Sequence, residues 1–240
     1  MKLDHFIKSI AMKVGVDVRA FTPSRSEGAR LLKLFAHYGI DLVLDVGANS
    51  GQYSFYLRSI GYRGKIVCFE PLLSAYSDLQ KFAKKDANMI LTPRMALGDH
   101  DGEVTLNVAA NSESSSILQI LDAHLQTEPS AKFVGVETVR LARLDTVAHE
   151  YMVNARAVFL KIDTQGYDSH VLRGAAGILP NIKGVQIELS LMPLYKGEII
   201  YREMIDRIEA LGYALHDLNP CFSDKITGRT YQLDGIFFRC

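Results

Sequence analysis

From Asp41 onward, short apolar runs alternate with amphipathic stretches, and the first run opens directly into a glycine turn, LDVGANSGQYS at residues 44–54. DLVLDVG (41–47), KIVCFEP (65–71), AVFLKIDTQG (157–166) and GVQIELS (184–190) read as buried strands rich in Val, Ile and Leu. SGQYSFYLRSIG (50–61), LLSAYSDLQKFAKKD (72–86) and YDSHVLRGAAGIL (167–179) read as the helices between them. Strand and helix in repeated order imply an α/β fold: a mostly parallel, doubly wound sheet with helices on both faces. NMILTPRMALGD supplies a third strand region, EVTLNVAA (103–110) a half-exposed strand, and a helix near 201–211 precedes ALHDL and the closing QLDGIFFR (232–239). These last pieces need not be parallel, because an antiparallel edge strand is common on such sheets.

Two segments fit the alternation less well. Residues 111–156 are too long for a simple connection and are expected to form a lid or an acceptor-facing insertion with helices of its own. Residues 1–40 are expected to be a helical extension to a 41–240 domain. There, Leu3, Phe6, Ile7, Ile10 and Val14 share one helical face, suited to packing on the same domain or on a second subunit of a homodimer.

In an open parallel sheet, ligands bind beyond the carboxyl ends of the strands, and the first turn carries the binding glycines. Gly47 and Gly51 occupy that turn, yet the dinucleotide pattern G-x-G-x-x-G is absent. An acid, Asp45, stands two positions before the first glycine instead. A carboxylate at the mouth of the turn would repel a pyrophosphate and suit a ligand with an ammonium and a sulfonium, so the sign of the charge favours S-adenosylmethionine over NAD. Glu70 closes the second strand, about 20 residues on, where an acid can accept hydrogen bonds from ribose hydroxyls.

The words LDVGANSGQYS, VCFEPL, ALGDHDGEVTLNV, SSSIL, LDTV, LKIDTQGYDSHVLRGA, QIELSLMPLY and LDGIFFR together resemble the FkbM family of S-adenosylmethionine-dependent methyltransferases. The resemblance implies a Rossmann-like class I methyltransferase fold with a seven-stranded sheet. It also implies O-methylation of sugar, glycan or polyketide hydroxyls, with S-adenosylhomocysteine as product. By position, Asp45, Gly47, Ala48, Asn49, Gly51 and Gln52 correspond to the loop holding the methionine part of the cofactor. Glu70 with Pro71 corresponds to the ribose site, and Ala96 with Leu97 to the adenine wall. Many relatives carry Glu where this chain has Gln165, so Gln165 is expected to orient the acceptor by hydrogen bonding and not to act as an acid.

A sulfonium methyl is already activated, so the enzyme must align an acceptor oxygen and deal with its proton. Asp163, at the end of AVFLKID, and Glu188, in GVQIELS, are the candidate catalytic carboxylates. Asp163 could instead cap the following helix, and Glu188 could pair with Lys161. His124 is a third candidate, as a base or an acceptor contact, whereas His170 reads as a packing residue. Ser115 and Ser116, with Ser114, are expected to contact the acceptor or to cap a helix over ILQIL. Tyr195 could offer a stacking face to a sugar, with PLYKGEIIYREM and CFSDKITGR rimming the pocket. A divalent cation held by Asp163 and Glu188, with Asp99 or Asp234, is conceivable on ligand chemistry but not favoured.

Composition limits the rivals. Lys plus Arg equals Asp plus Glu at 27 each, which gives no electrostatic case for nucleic acid, and the D/N-P-P-Y/F type of target-base motif is absent. Cys68, Cys221 and Cys240 have no metal-site spacing and read as free thiols of a reducing compartment. No apolar run approaches the roughly 18–20 residues of a spanning helix, so the expected location is cytoplasmic. A non-catalytic cofactor-binding scaffold is the alternative from another class, and a nicotinamide oxidoreductase is disfavoured by Asp45 and the missing glycine.

Overall fold

The computed structural model describes residues 2–239, with side-chain environments from Lys8 onward. Helix α1 (Lys2–Lys13) leads to α2 (Glu27–Tyr38), which begins where the Ser26 hydroxyl accepts the Ala29 N–H and ends at Gly39 in the left-handed region. Helix α2 buries Leu31 and Phe35, and Arg30 reaches across to Asp217 and Asn219 at 2.6 and 2.7 Å. Ile10 and Val14 do not pack on the chain, at 50% and 72% exposure, while Leu3, Phe6 and Ile7 lie outside the described side chains.

The main sheet has seven strands. Strands β1 (Leu42–Val46), β2 (Lys65–Phe69) and β3 (Met89–Leu91) are joined by α3 (Gln52–Ile60) and α4 (Leu73–Ala83). The sheet also contains β7 (Val158–Ile162), α8 (Asp168–Gly174) follows it, and β8 (Ile182–Ser190) lies next to β7. Helix α9 (Tyr201–Ala210) then leads to β9 (Tyr213–Ser223) and β10 (Thr230–Arg239). The order is β3-β2-β1-β7-β8-β10-β9; β10 runs antiparallel to β8 and β9, and the pairings among the first five strands are parallel. This is the seven-stranded Rossmann-like architecture that the family resemblance implied, and the mostly parallel sheet that the strand and helix alternation implied. The chain winds outward from β1 in one direction and from β7 in the other, so the switch point lies between β1 and β7 and places a ligand crevice beside Gly47 and Asp163.

Strand parity decides what faces that crevice. Leu42, Leu44 and Val46 join one core layer with Leu160 and Ile162, while Val43, Phe159 and Phe238 join the other, under α2 and α3. Positions 45, 161, 163, 186, 188, 232 and 234 share the parity of this second layer. A row of polar groups therefore runs beneath α2 and α3.

Residues 88–156 depart most from the sequence reading. The expected third strand is two strands in different sheets, β3 and β4 (Ala96–Gly98). Strand β5 (Gly102–Ala109) pairs with the eleven-residue β6 (Phe133–Arg143), giving a separate sheet ordered β4-β6-β5. Thus 111–156 is not wholly an acceptor-facing insertion. Its first part, with α5 (Asp122–Thr127), covers the crevice, and β6 with α6 (Leu144–Val147) and α7 (His149–Met152) builds the flank. ILQIL is not a helix, so Ser114–Ser116 cap nothing; Asn107 bridges Ser116, and Ile120 bridges Tyr195. The flank is locked by Gly174, where a Cβ would sit 1.8 Å from the Gly98 carbonyl oxygen. Among the described residues no helix is long and apolar enough to cross a membrane.

Candidate active site

One cavity of about 580 Å³ opens at the carboxyl ends of β1, β2, β7 and β8. At one end, Gly47, Ala48, Asn49, Gln52 and Pro71 line it, over an apolar floor that includes Ala96 and Leu97. Glu70 ties this end together: its Oε2 accepts the Asn49 N–H at 2.6 Å and its Oε1 the Leu72 N–H at 2.7 Å. Only 4% exposed, its carboxyl is pushed up to about 7 by burial, against the pull of those two N–H groups. Asn49 is held at φ 47, and Gln52 donates to Glu113 at 2.9 Å. Gly51 does not line the cavity; at φ 98 it starts α3.

Asp45 is not at the mouth of the turn. It is fully buried on the α3 side of β1, where the Ser54 hydroxyl donates to it at 3.2 Å and Lys161 lies 3.6 Å away. Burial pushes its carboxyl up, and its Oδ1 has no hydrogen-bond partner. The charge that was expected to meet a ligand ammonium directly instead meets Lys161. Replacing Lys161 with Met would leave Asp45 and Asp163 without their shared cation. Urea unfolding of Lys161→Met should show a loss of about 3–5 kcal/mol, the usual cost of breaking a buried pair from one side.

Asp163 and Glu188 come together at the other end of the cavity, clamped by Gln165. The Gln165 Nε2 donates to Asp163 Oδ1 and to Glu188 Oε2, both at 2.9 Å. Its Oε1 accepts the Tyr195 hydroxyl at 2.9 Å, and its carbonyl accepts the Ser116 hydroxyl at 2.7 Å. Gln165, expected on the acceptor, is therefore committed to the two carboxyls. Burial opposes ionisation of Asp163, but Lys161 at 3.1 Å and the Gln165 amide bring its carboxyl below the usual range. Burial, then Asp163, Asp168 and Asp234, push Glu188 well above it. Between the two, the charge is favoured on Asp163 and the proton on Glu188. The alternative Glu188–Lys161 pair does not form, since Lys161 bridges Asp45 and Asp163.

His124 and Ser115 line the same cavity. Ser115 Oγ accepts the Ala109 N–H at 3.0 Å. His124 is 3% exposed, packs edge-on against Tyr195, and has an Nδ1 with no partner; burial lowers its pKa to about 4, so the ring is neutral. Tyr195 offers no stacking face: it is fully buried and does not line the cavity. Phe222 and Cys221 line the wall, whereas PLYKGEII does not. Asp99 lies elsewhere, holding His170 and Arg173, so it joins no group with Asp163 and Glu188. Among the described residues no set of three or more His, Cys, Asp or Glu side chains is arranged to hold a metal. Cys68 and Cys221 are free thiols; Cys240 lies outside the described residues.

The sequence reading missed Glu27, Tyr53, Tyr56, Gln186 and Gln232, all on the wall. The signal was available: Gln186 with Glu188, and Gln232 with Asp234, are polar pairs at i, i+2 within otherwise apolar strands, and the register sets Asp234 opposite Glu188.

The sequence matches the family model described as Methyltransferase FkbM domain over residues 45–215. The 2-O-methyltransferase NoeI of Sinorhizobium fredii is 24% identical over 176 residues, covering 69% of this chain and 70% of that protein. The methyltransferase sdnD of Sordaria araneosa is 28% identical over 153 residues, covering 55% and 59%. Among solved structures, the methyltransferase FkbM from Methylobacillus flagellatus superposes with a TM-score of 0.49 at 12% identity, covering 82% of this chain and 43% of that one. With more than half of its length matched to that model, the chain belongs to the FkbM methyltransferase domain family.

Proposed function

We propose that the protein moves a methyl group from S-adenosylmethionine to a hydroxyl oxygen of a sugar-containing acceptor. The observation that carries this reading is the single continuous cavity, which runs from the turn tied by Glu70 to the carboxyl pair clamped by Gln165. The first end suits the cofactor. Each Glu70 oxygen accepts one backbone N–H and retains a lone pair for a ribose hydroxyl, and Ala96 and Leu97 give an apolar surface for a base. When bound, the cofactor supplies a methyl group already activated as a sulfonium.

The chain's own work is at the other end. Asp163, charged beside Lys161, accepts the proton of the acceptor hydroxyl as that oxygen becomes bonded to carbon. Lys161 stays protonated throughout, because burial, which lowers its pKa, is outweighed by Asp163 and Asp45, and the balance is raised. Gln165 fixes the direction of both carboxyls, and His124, neutral and unpartnered at Nδ1, binds an acceptor hydroxyl. Gln186 and Tyr53 on the wall, joined by the Tyr53 hydroxyl donating to Gln186 Oε1 at 2.8 Å, form a polar surface that suits a polyhydroxyl ligand. The oxygen acceptor named for the Sinorhizobium relative supports the same choice.

Calorimetric titration tests the cofactor assignment. S-adenosylhomocysteine should bind, and Glu70→Gln should weaken it by about 10²-fold, because Gln keeps one acceptor and turns an N–H donor toward a backbone N–H. Binding of NAD with neither sulfur ligand would remove the proposal.

A further inference from the structure

The wall opposite the glycine turn carries more acid than removal of one proton requires. Besides Asp163, it holds Glu188 and Asp234, set opposite each other in the β8–β10 register, and Glu27 at the start of α2. Among the described residues lining the cavity, the one cationic side chain is Lys161, already shared by Asp45 and Asp163. Arg30, one turn along α2 from Glu27, is committed to Asp217 and Asn219.

A phosphate or carboxylate in such a place would lack what normally holds it, namely a guanidinium fork, a lysine or a cluster of backbone N–H groups. The glycine turn at the other end of the cavity, where α3 begins, has its Asn49 N–H taken by Glu70. The repulsion between an anionic ligand and the half-buried Asp234 is only partly screened by water, and Glu27 adds to it from an exposed position. What the wall does offer is neutral. Gln186 and Gln232 bring amides, the Gln232 amide already donating to Glu188 and Ser190 at 3.3 and 3.2 Å, and the buried His124, whose Nδ1 has no partner, lines the same cavity. An ammonium on the ligand would also gain from Asp234 and Glu27.

We propose that the acceptor sugar enters uncharged or bearing an amine, with no phosphate or carboxylate of its own. This rests on the sugar-methylating reading above and places the step in a sequence. The acceptor is not a nucleotide-activated sugar, so the reaction that supplies it is one that has already removed the nucleoside diphosphate, as glycosyl transfer does.

Probes that share one hexose ring and differ in charge test this. The protein loaded with S-adenosylhomocysteine is titrated with glucosamine, methyl glucoside, glucuronate and UDP-glucose, followed by ligand-observed saturation-transfer NMR. Glucosamine and methyl glucoside should bind at least about tenfold tighter than the two anions, and the double variant Glu27→Gln/Asp234→Asn should close most of that gap. Glucuronate or UDP-glucose binding as tightly as glucosamine would overturn the proposal. So would an unchanged gap in the double variant, or no binding by any of the probes. Failure of S-adenosylhomocysteine itself to bind would strike the methyltransferase reading instead. The charge ranking would then still be read from glucosamine and glucuronate on the unloaded protein.

Discussion

Alanine at position 47 should abolish S-adenosylhomocysteine binding and destabilise the fold by more than about 4 kcal/mol, a size reserved for backbone-level disruption. Gly47 adopts φ +76, and a Cβ built there would lie 1.8 Å from the carbonyl oxygen of Asp163. The left-handed conformation alone costs a non-glycine residue only about 1–2 kcal/mol. The clash is the larger effect, because the obstacle is backbone and cannot rotate away. Relief would push β1 and β7 apart at the switch point and move Asp163 with them. Gly39→Ala provides the control: φ is +68, but nothing lies within 4 Å, so its cost should stay near the conformational part alone. Urea unfolding and calorimetry on the two variants read the difference. A Gly47→Ala protein that folds with normal stability and normal S-adenosylhomocysteine affinity would show that the turn tolerates what the geometry forbids.

The second large effect concerns the proton. Asp163→Asn should lower kcat by about 10²- to 10⁴-fold, the usual worth of a positioned base. Glu188→Gln should stay within about tenfold of the wild type, because an amide resembles the protonated acid that the surroundings of Glu188 favour. The pH profiles separate the two further. Asp163 titrates below the ordinary carboxylate range, so it remains charged and contributes no acid limb of its own as pH falls from 8 through 5. Glu188 titrates well above that range, so the charge it gains as pH rises places a second anion beside Asp163 and produces an alkaline limb. Glu188→Gln should remove that alkaline limb and leave the acid side unchanged. Radiometric methyl transfer across pH, with an acceptor from a glycan panel, makes the measurement. Equal losses for the two variants would assign the base wrongly.

The parts of the site that were legible in the sequence are those where one short stretch suffices. The glycine turn, Glu70 and the apolar strands follow from local pattern, since each reports its own backbone and burial. Asp45 was misplaced because strand parity, which sends it toward Ser54 beneath α3, matters only once the sheet's two faces are known. Tyr195 was misplaced for a related reason: its hydroxyl is drawn inward by Gln165 and Ser114, residues far from it in the chain. Strand β6 was missed because the side sheet leaves one face open, and exposed Val134 and Val136 break the apolar periodicity that marks a buried strand. The Gln165 clamp was hidden too. Its partners were each named, but their convergence on one amide is a property of the folded sheet ends.

Glu27 and Leu31 enter the cavity wall from before the family-matched span of 45–215, and Pro220, Phe222, Gln232, Asp234 and Ile236 enter from after it. The cavity is thus assembled from a central stretch that carries the turn and the carboxyl clamp, and two chain ends that fold back to meet over it. Divergence at those ends can alter which molecule is admitted while leaving the transfer machinery untouched. A relative aligned only through its middle therefore informs about the reaction far better than about its recipient.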